Sequence, residues 1–319
     1  MSARDPGFAA ALRERIRGQV REAEPLARYS TYRIGGPATV VHPAGGEDVG
    51  TALRMAHEGG VPWFVVGLGS NILLPDEGLE ALVIRMGKGL DRLRGDGERW
   101  TVGAGLPAPL AARRTAAAGF AGLHIFVGVP GTAGGGVYMN AGCHGGEWAE
   151  VVETVTVVDA AGRDAVLSRA EVPFTYRRSG LDGRVVIETT VRLRQEEQHR
   201  LDEEIGEMFE WRQNGTPFNQ PCCGSVFKNP SGPSWKRDDG PRTAGQLIEA
   251  AGLKGHRLGG AEVSPMHANY FVNTGEATAA DVRALIEHAQ RVVVERFGVR
   301  LEPEVKVIGT GGEYLNPEN

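Results

Sequence analysis

GVPGTAGGGVYMNAGCHGG, residues 128–146, is the stretch whose reading decides the fold. Eight of its nineteen residues are glycine, and none is Asp, Glu, Lys or Arg. So few side chains bury little apolar surface, and local propensity alone describes a flexible linker. The flanks argue otherwise. HIFV (124–127) precedes the stretch and VVETVTVV (151–158) follows it, which places it inside a folded domain, where long structureless loops are uncommon. The remaining reading is a loop whose backbone comes very close to a ligand, with bare N–H groups aimed at phosphate.

Outward from that stretch, 319 residues with 41% hydrophobic and 24% charged character make a globular chain, long enough for two or three domains. Glycine, at 46 residues, is about twice its average share, which implies many tight turns and close backbone approaches. A net charge of −5 gives no reason to expect a nucleic-acid partner. Cys143, Cys222 and Cys223 have neither metal-ligand nor disulfide spacing, so no metal is expected, and adjacent Cys222 and Cys223 read as small packing residues. No apolar run approaches the ~20 residues of a membrane span, and MSARDPGF is no signal peptide, so the expected location is the cytoplasm.

The spacing of Phe8, Leu12, Ile16 and Val20 predicts one surface helix closed by Pro25. Residues 29–38, YSTYRIGGPA, read as a turn before a strand around Val40 and Val41. A helix over 47–58 ends at Gly59-Gly60. The buried strand VPWFVV then runs straight into GLGSNIL (67–73). The dinucleotide fingerprint is incomplete there: its third glycine is missing, and Pro75 and Asp76 stand where a helix is needed. A polar turn of Gly67, Gly69, Ser70 and Asn71, suited to a pyrophosphate, is what survives.

Strands at 81–86 and 100–105, an Ala-rich helix over 107–119, a hairpin from 151 to 167 and an alternating strand at 185–194 follow. The mixture, with short links, favours α+β over a doubly wound sheet. Residues 196–214 form a charged helix with Leu201, Ile205, Met208 and Phe209 on one face, and a domain boundary falls near Arg194. The last third predicts a helix at 244–251, a strand at 269–273, a helix at 279–297 and a strand through Val307, then a disordered tail, TGGEYLNPEN.

Four further clusters carry chemistry-bearing side chains: FTYRRSG (174–180), GSVFKNP (224–230), AEVSPMHANYFVN (261–273) and RLEPEVKVIG (300–309). In the last, Glu302 and Glu304 share one strand face, because side chains alternate with period two, and Pro303 marks an edge. Each alone is explained as well by a turn, a structural histidine or solvated carboxylates. There is no Gly-Lys-Ser phosphate loop and no Gly-x-Ser-x-Gly elbow.

Together, STYRIGGPA, VVGLGSNILL, GVPGTAGGGVYMNAG, YRRS, GSVFKNP, AGQLIEAAGLKG and LEPEV, in this order over residues 29–308, resemble the MurB family, the UDP-N-acetylenolpyruvoylglucosamine reductases of peptidoglycan synthesis. The resemblance implies a two-lobed FAD-binding domain of the vanillyl-alcohol-oxidase type (lobes 1–85 and 86–194), a smaller α+β substrate domain (195–310) and a tail (311–319). By position, Tyr29, Gly67, Gly69, Ser70, Asn71, Gly131, Thr132, Gly134, Gly135 and Asn140 would line non-covalent FAD. Ser225 matches the family's proton donor, Arg177 and Glu304 its other catalytic positions, and Tyr176, Lys228, Asn229, Gln246 and His267 its substrate contacts.

Only seven residues separate Ser179 from Ile187, so the chain resembles the shorter second type. Ala133 replaces a larger aliphatic residue, Gly136 stands where Ala is common, and His267 where some members have Gln. The implied reaction is NADPH-dependent reduction of an enolpyruvyl ether through FAD, by a monomer. Arg177 would stabilise the enolate, Ser225 would protonate it, and Glu304 would orient, tune or itself donate the proton. Two other readings stay open at this point: an alcohol or sugar oxidase of the same fold, marked by covalently held flavin, and a colourless nucleotide-sugar binding protein.

Overall fold

The computed structural model describes residues 2–230 and 243–315, folded as two units that each gather separated segments. The first takes Met1–Glu24, Ala38–Leu68 and Glu80–Arg212; the second takes Pro25–Pro37, Gly69–Leu79 and Gln213–Asn319.

In the first unit, Pro37–His42, Leu82–Arg85 and Trp63–Val66 pair in parallel, with Gln19–Pro25 beside Pro37–His42. The helix Gly46–Glu58 buries Val49, Ala52, Leu53 and Ala56 in one core with Val41, Leu82 and Ile84 of this sheet. A second sheet is antiparallel throughout, in the order Asp164–Ser168, Val152–Asp159, Arg184–Arg192, Arg99–Gly103, Leu93–Asp96. The charged helix Gln198–Gly215 seats Leu201 and Ile205 on Ala112 and Ala116 of the helix Ala108–Ala117.

In the second unit, helices Ala244–Ala250 and Ala279–Phe297 share a core with the three-stranded sheet Arg257–Leu258, Ala261–Val263, Phe271–Asn273. Asp76 accepts the N–H of Ala279 on both carboxylate oxygens (2.9 and 3.0 Å), an unfilled donor at the start of the longer helix. That bond ties residues 69–79 to this unit, as does the parallel pairing of Lys306–Val307 with Ile72–Leu73.

Four expectations change. The first helix is Pro6–Arg15, and Gln19–Pro25 is a strand. Asp48 takes the N–H groups of Arg17 and Gly18 (3.0 and 2.8 Å) and draws the chain out of the helix, while Val20 dips into the same core as Phe8, Leu12 and Ile16. The glycine-rich stretch holds a short helix, Ala133–Tyr138, with Thr132 at its N-cap. The last third gains a hairpin, Arg257–Leu258 with Ala261–Val263, turning at Gly259 (φ +53°). Part of the tail is folded: Ile308 bridges Tyr314, and the Leu315 N–H donates to Val307. The rest of the tail, residues 316–319, lies outside the described residues.

The helix Ala133–Tyr138 exists despite three glycines because close packing selects them. A Cβ on Gly134 would lie 2.7 Å from the Ala104 Cβ, and one on Gly136 would overlap the indole of fully buried Trp148, which stacks on Phe126 at 5.0 Å. Gly136→Ala is therefore expected to destabilise the protein by about 1–3 kcal/mol through overpacking, read as a lower urea midpoint at unchanged slope.

Candidate active site

In the first unit the two glycine turns meet. The strand Trp63–Val66 delivers Gly67, where an added Cβ would lie 2.6 Å from the Thr132 Oγ1. Thr132 is buried, and its hydroxyl accepts the Gly135 N–H at 3.3 Å. The expected row of bare N–H groups is not there: Ala133 and Gly134 donate to Leu106 and Ala104 (2.8 and 2.9 Å), and Gly136 donates to Thr132 (2.8 Å). Gly134 and Gly136 thus serve packing. Gly135 differs, being exposed, with nothing nearer to an added Cβ than the Thr132 Oγ1 at 3.5 Å. Gly131 is half-buried at the head of the turn. The open side of Gly135 and the lack of a carboxylate in residues 128–146, rather than a row of free N–H groups, are what fit the pyrophosphate of a flavin dinucleotide.

Asn140 closes the stretch with φ +44° and is fully buried. Its Nδ2 donates to the Thr175 carbonyl (2.9 Å), and its Oδ1 accepts the Ala149 N–H (3.0 Å). The Ser179 hydroxyl donates to the Tyr138 carbonyl at 2.7 Å. The loop carrying Tyr176 and Arg177 is therefore clamped on both sides. Arg177 itself sits at φ +59°, a region a non-glycine residue occupies at a cost and one that clusters at functional sites. Its guanidinium lies 4.9 Å from the centre of the exposed Tyr176 ring and donates to the Gly142 carbonyl at 3.2 Å.

In the second unit, Gly69 (φ +62°) lies so close to the Tyr29 carbonyl that a Cβ would overlap it. The Thr31 N–H and hydroxyl donate to the Gly69 carbonyl (3.1 and 3.2 Å), which fixes the turn that leads into half-buried Ser70. Asn71 follows, and its Nδ2 donates to the Glu304 carbonyl at 3.2 Å. The Glu304 N–H donates to Val226 (2.7 Å) and the Lys228 N–H to Glu302 (2.9 Å), so residues 226–228 run against 302–304. Ser225 is thereby next to the residue on which Glu304 is anchored. Residues 301–305 are not the regular strand expected: only Pro303 bridges, to Phe227. Exposed Glu302 pairs with the Lys228 ammonium at 2.7 Å, while Glu304 is half-buried.

The same segment binds the remaining candidates. Asn269, buried, accepts the Phe227 N–H on Oδ1 (3.0 Å), donates from Nδ2 to the Phe227 carbonyl (2.8 Å), and accepts the Val226 N–H on its own carbonyl (2.8 Å). Its N–H donates to the Nδ1 of His267 at 3.2 Å, which puts the imidazole proton on Nε2. Asn229 accepts the Ala244 N–H at 3.1 Å, and Gln246 accepts that of Thr243 at 3.1 Å in a capping box. Asn71, Ser225, Lys228, Asn229, Gln246, His267 and Glu304 thus belong to one connected framework. Sequence reading missed Asn269. The signal was present, since an amide inside the apolar run ANYFV has to find partners when buried. Among the described residues no cluster of three or more His, Cys, Asp or Glu is arranged for a metal, and no helix is long and apolar enough to cross a membrane.

Residues 216–308 match the C-terminal domain of UDP-N-acetylenolpyruvoylglucosamine reductase, and residues 37–167 match a FAD binding domain. The chain is 40% identical over 302 residues to the UDP-N-acetylenolpyruvoylglucosamine reductase of Bacillus velezensis, covering 93% of this chain and 97% of that one. It is 42% identical over 307 residues to UDP-N-acetylenolpyruvoylglucosamine reductase 2 of Symbiobacterium thermophilum, covering 95% and 97%. The crystal structure of the Thermus caldophilus UDP-N-acetylenolpyruvylglucosamine reductase superposes with a TM-score of 0.78 at 34% identity, covering 91% of this chain and 99% of that one.

Asn269→Ala would leave the Phe227 N–H and carbonyl buried without partners. The expected loss is about 2–4 kcal/mol, measured by chemical denaturation, with a fall in turnover larger than that of a surface control substitution.

Proposed function

The chain belongs to the UDP-N-acetylenolpyruvoylglucosamine reductase family, and on that premise we propose how its own residues carry out the NADPH-dependent reduction of the enolpyruvyl ether. The enzyme is an FAD-dependent oxidoreductase of α+β fold. The observation that carries the assignment of roles is the pairing of residues 226–228 with 302–304, which anchors Glu304 beside the segment bearing Ser225.

Gly67, Gly131, Thr132 and Gly135, with Ser70 and Asn71 further along the first turn, would hold FAD; Tyr29 and Gly69 keep the flavin contacts that the family pattern implies. Gly134 acts through packing, and Asn140 as the clamp of the Thr175 loop. FAD, when bound, would supply the two-electron hydride chemistry between NADPH and the terminal carbon of the enolpyruvyl group. The chain's residues manage the charge and the proton. Negative charge then spreads from the adjacent carbon into the substrate carboxylate, and Arg177 is the cation for it. Because that charge develops only along the reaction, the interaction strengthens towards the transition state and raises the rate rather than merely the affinity.

Ser225 donates its hydroxyl proton to the same carbon. A serine is a poor acid near neutrality, but a carbon-centred enolate is basic enough to take the proton. Glu304 orients this donation, and Tyr176, Lys228, Asn229, Gln246 and His267 contact the nucleotide sugar. With Nδ1 occupied by the Asn269 N–H, His267 does so through Nε2. In the division of labour that goes with this mechanism, residues 1–85 and 86–194 serve FAD, Tyr176 and Arg177 excepted, and 195–310 serve the substrate. The enzyme acts as a cytoplasmic monomer.

Ser225→Ala is expected to let NADPH bleach the flavin at the parental rate while blocking reoxidation by the enolpyruvyl sugar. Stopped-flow traces at the flavin band check this, and normal reoxidation would exclude Ser225 as the donor.

A further inference from the structure

One side-chain bond stands among the main-chain bonds that hold the segment of Glu304. Lys306–Val307 pairs in parallel with Ile72–Leu73. On its other edge the Leu315 N–H donates to the Val307 carbonyl at 2.8 Å, and Tyr314 bridges Ile308. Upstream, the N–H groups of Glu304 and Val305 both donate to the Val226 carbonyl, at 2.7 and 3.3 Å. Asn71 supplies the side-chain bond. Its carbonyl accepts the Lys306 N–H at 3.0 Å, and its Nδ2 donates to the Glu304 carbonyl at 3.2 Å.

That bond acts on Glu304 itself. A side chain leaves the backbone along Cα–Cβ, and the two rigid peptide planes that meet at the residue set that direction. At Glu304 the first plane is fixed through its N–H on Val226. The second carries the Glu304 carbonyl and the Val305 N–H. The Val305 N–H has only a shared acceptor, at a distance longer than the ~3.2 Å limit of ordinary N–H···O bonds. The Asn71 amide is therefore the dedicated hold on the second plane. Asn269 does the corresponding work for the segment of Ser225, where it takes both main-chain groups of Phe227.

We propose that Asn71 is a positioning residue for proton transfer, in which its side-chain amide, bonded to the Glu304 carbonyl, aims the Glu304 carboxyl. The turn Gly69–Asn71 then serves two ends: its main chain and Ser70 face the cofactor, while the Asn71 amide serves the step that follows hydride transfer. The inference rests on the role given to Glu304 in that step.

The test uses the FAD-loaded full chain. Asn71→Leu keeps the shape of the side chain and removes the donor, with Asn71→Ala in its place should that chain not fold. It is expected to slow reoxidation of the reduced flavin by the enolpyruvyl sugar by about tenfold to a hundredfold, the scale of a small misplacement of a reacting group. Reduction by NADPH is expected to slow much less, and the Kd for FAD, read from flavin fluorescence, to stay near that of the parent. Asn71→Gln, which keeps the amide on a longer stem, is expected to retain more of the reoxidation rate than Asn71→Leu. In a Glu304→Gln background, Asn71→Leu is expected to add little further slowing, because its effect passes through the carboxyl. Three results would overturn the proposal: parental reoxidation in Asn71→Leu, a raised Kd for FAD with both half-reactions slowed alike, or a full additional loss in the Glu304→Gln background. Glu304→Gln alone separates the two ideas. If it slows reoxidation and Asn71→Leu does not, only the Asn71 assignment falls; if it reoxidises at the parental rate, the Glu304 role falls and takes this one with it.

Discussion

Close approach of glycine backbone to its packed neighbours is the constraint on which the rest depends. Gly67 abuts Thr132, Gly69 the Tyr29 carbonyl, Gly134 the Ala104 methyl and Gly136 the Trp148 indole. At each place a single Cβ has no room, and interiors packed as densely as organic crystals do not open to admit one. The glycine excess is therefore largely a packing device. It brings the turns at Gly67 and Thr132 together and lets a six-residue helix form where propensity opposes one. The exception is Gly135, whose open side makes it the glycine of that turn free to face a ligand.

What glycine does by sterics in the first unit, buried amides do by hydrogen bonding in the second. Asn269 holds Phe227 on both main-chain groups, and Asn71 holds the carbonyl of Glu304. Both bonds fix main chain, and the chemistry-bearing side chains of Ser225 and Glu304 project from segments so fixed. For the roles proposed for Ser225 and Glu304, this is the order that electrostatic catalysis requires: a rigid supporting framework first, side chains mounted on it second. Asn140 plays the same part for the loop of Tyr176 and Arg177, where Asn140 and Ser179 clamp the flanks of the left-handed backbone at Arg177.

Much of the fold was legible residue by residue. The helix Ala279–Phe297 begins at a Thr278–Asp281 capping box and ends at Gly298 with φ +68°, and Gly46–Glu58 and Trp63–Val66 lie where periodicity puts them. The failures have a common cause. A four-residue spacing of apolar residues cannot tell the last turn of a helix from a strand entering the same core, so Val20 was misplaced. Nor can a glycine run reveal Trp148, the partner that makes it a helix. At the candidate site, the glycine run predicts N–H groups open to a phosphate, but two carbonyls claim those of Ala133 and Gly134.

By itself, then, the sequence determined most of the longer helices and strands, the order of the glycine turns and polar clusters, and the family they point to. Those are properties of local periodicity, capping and motif order. The tertiary structure alone decided which donors are already satisfied, which glycines are steric necessities, and which side chains share a framework. Asn71 and Glu304 are 233 residues apart in the chain and bonded in space. No local pattern encodes that bond, because it is set by the requirement that each buried polar group find whatever partner the folded core brings to it.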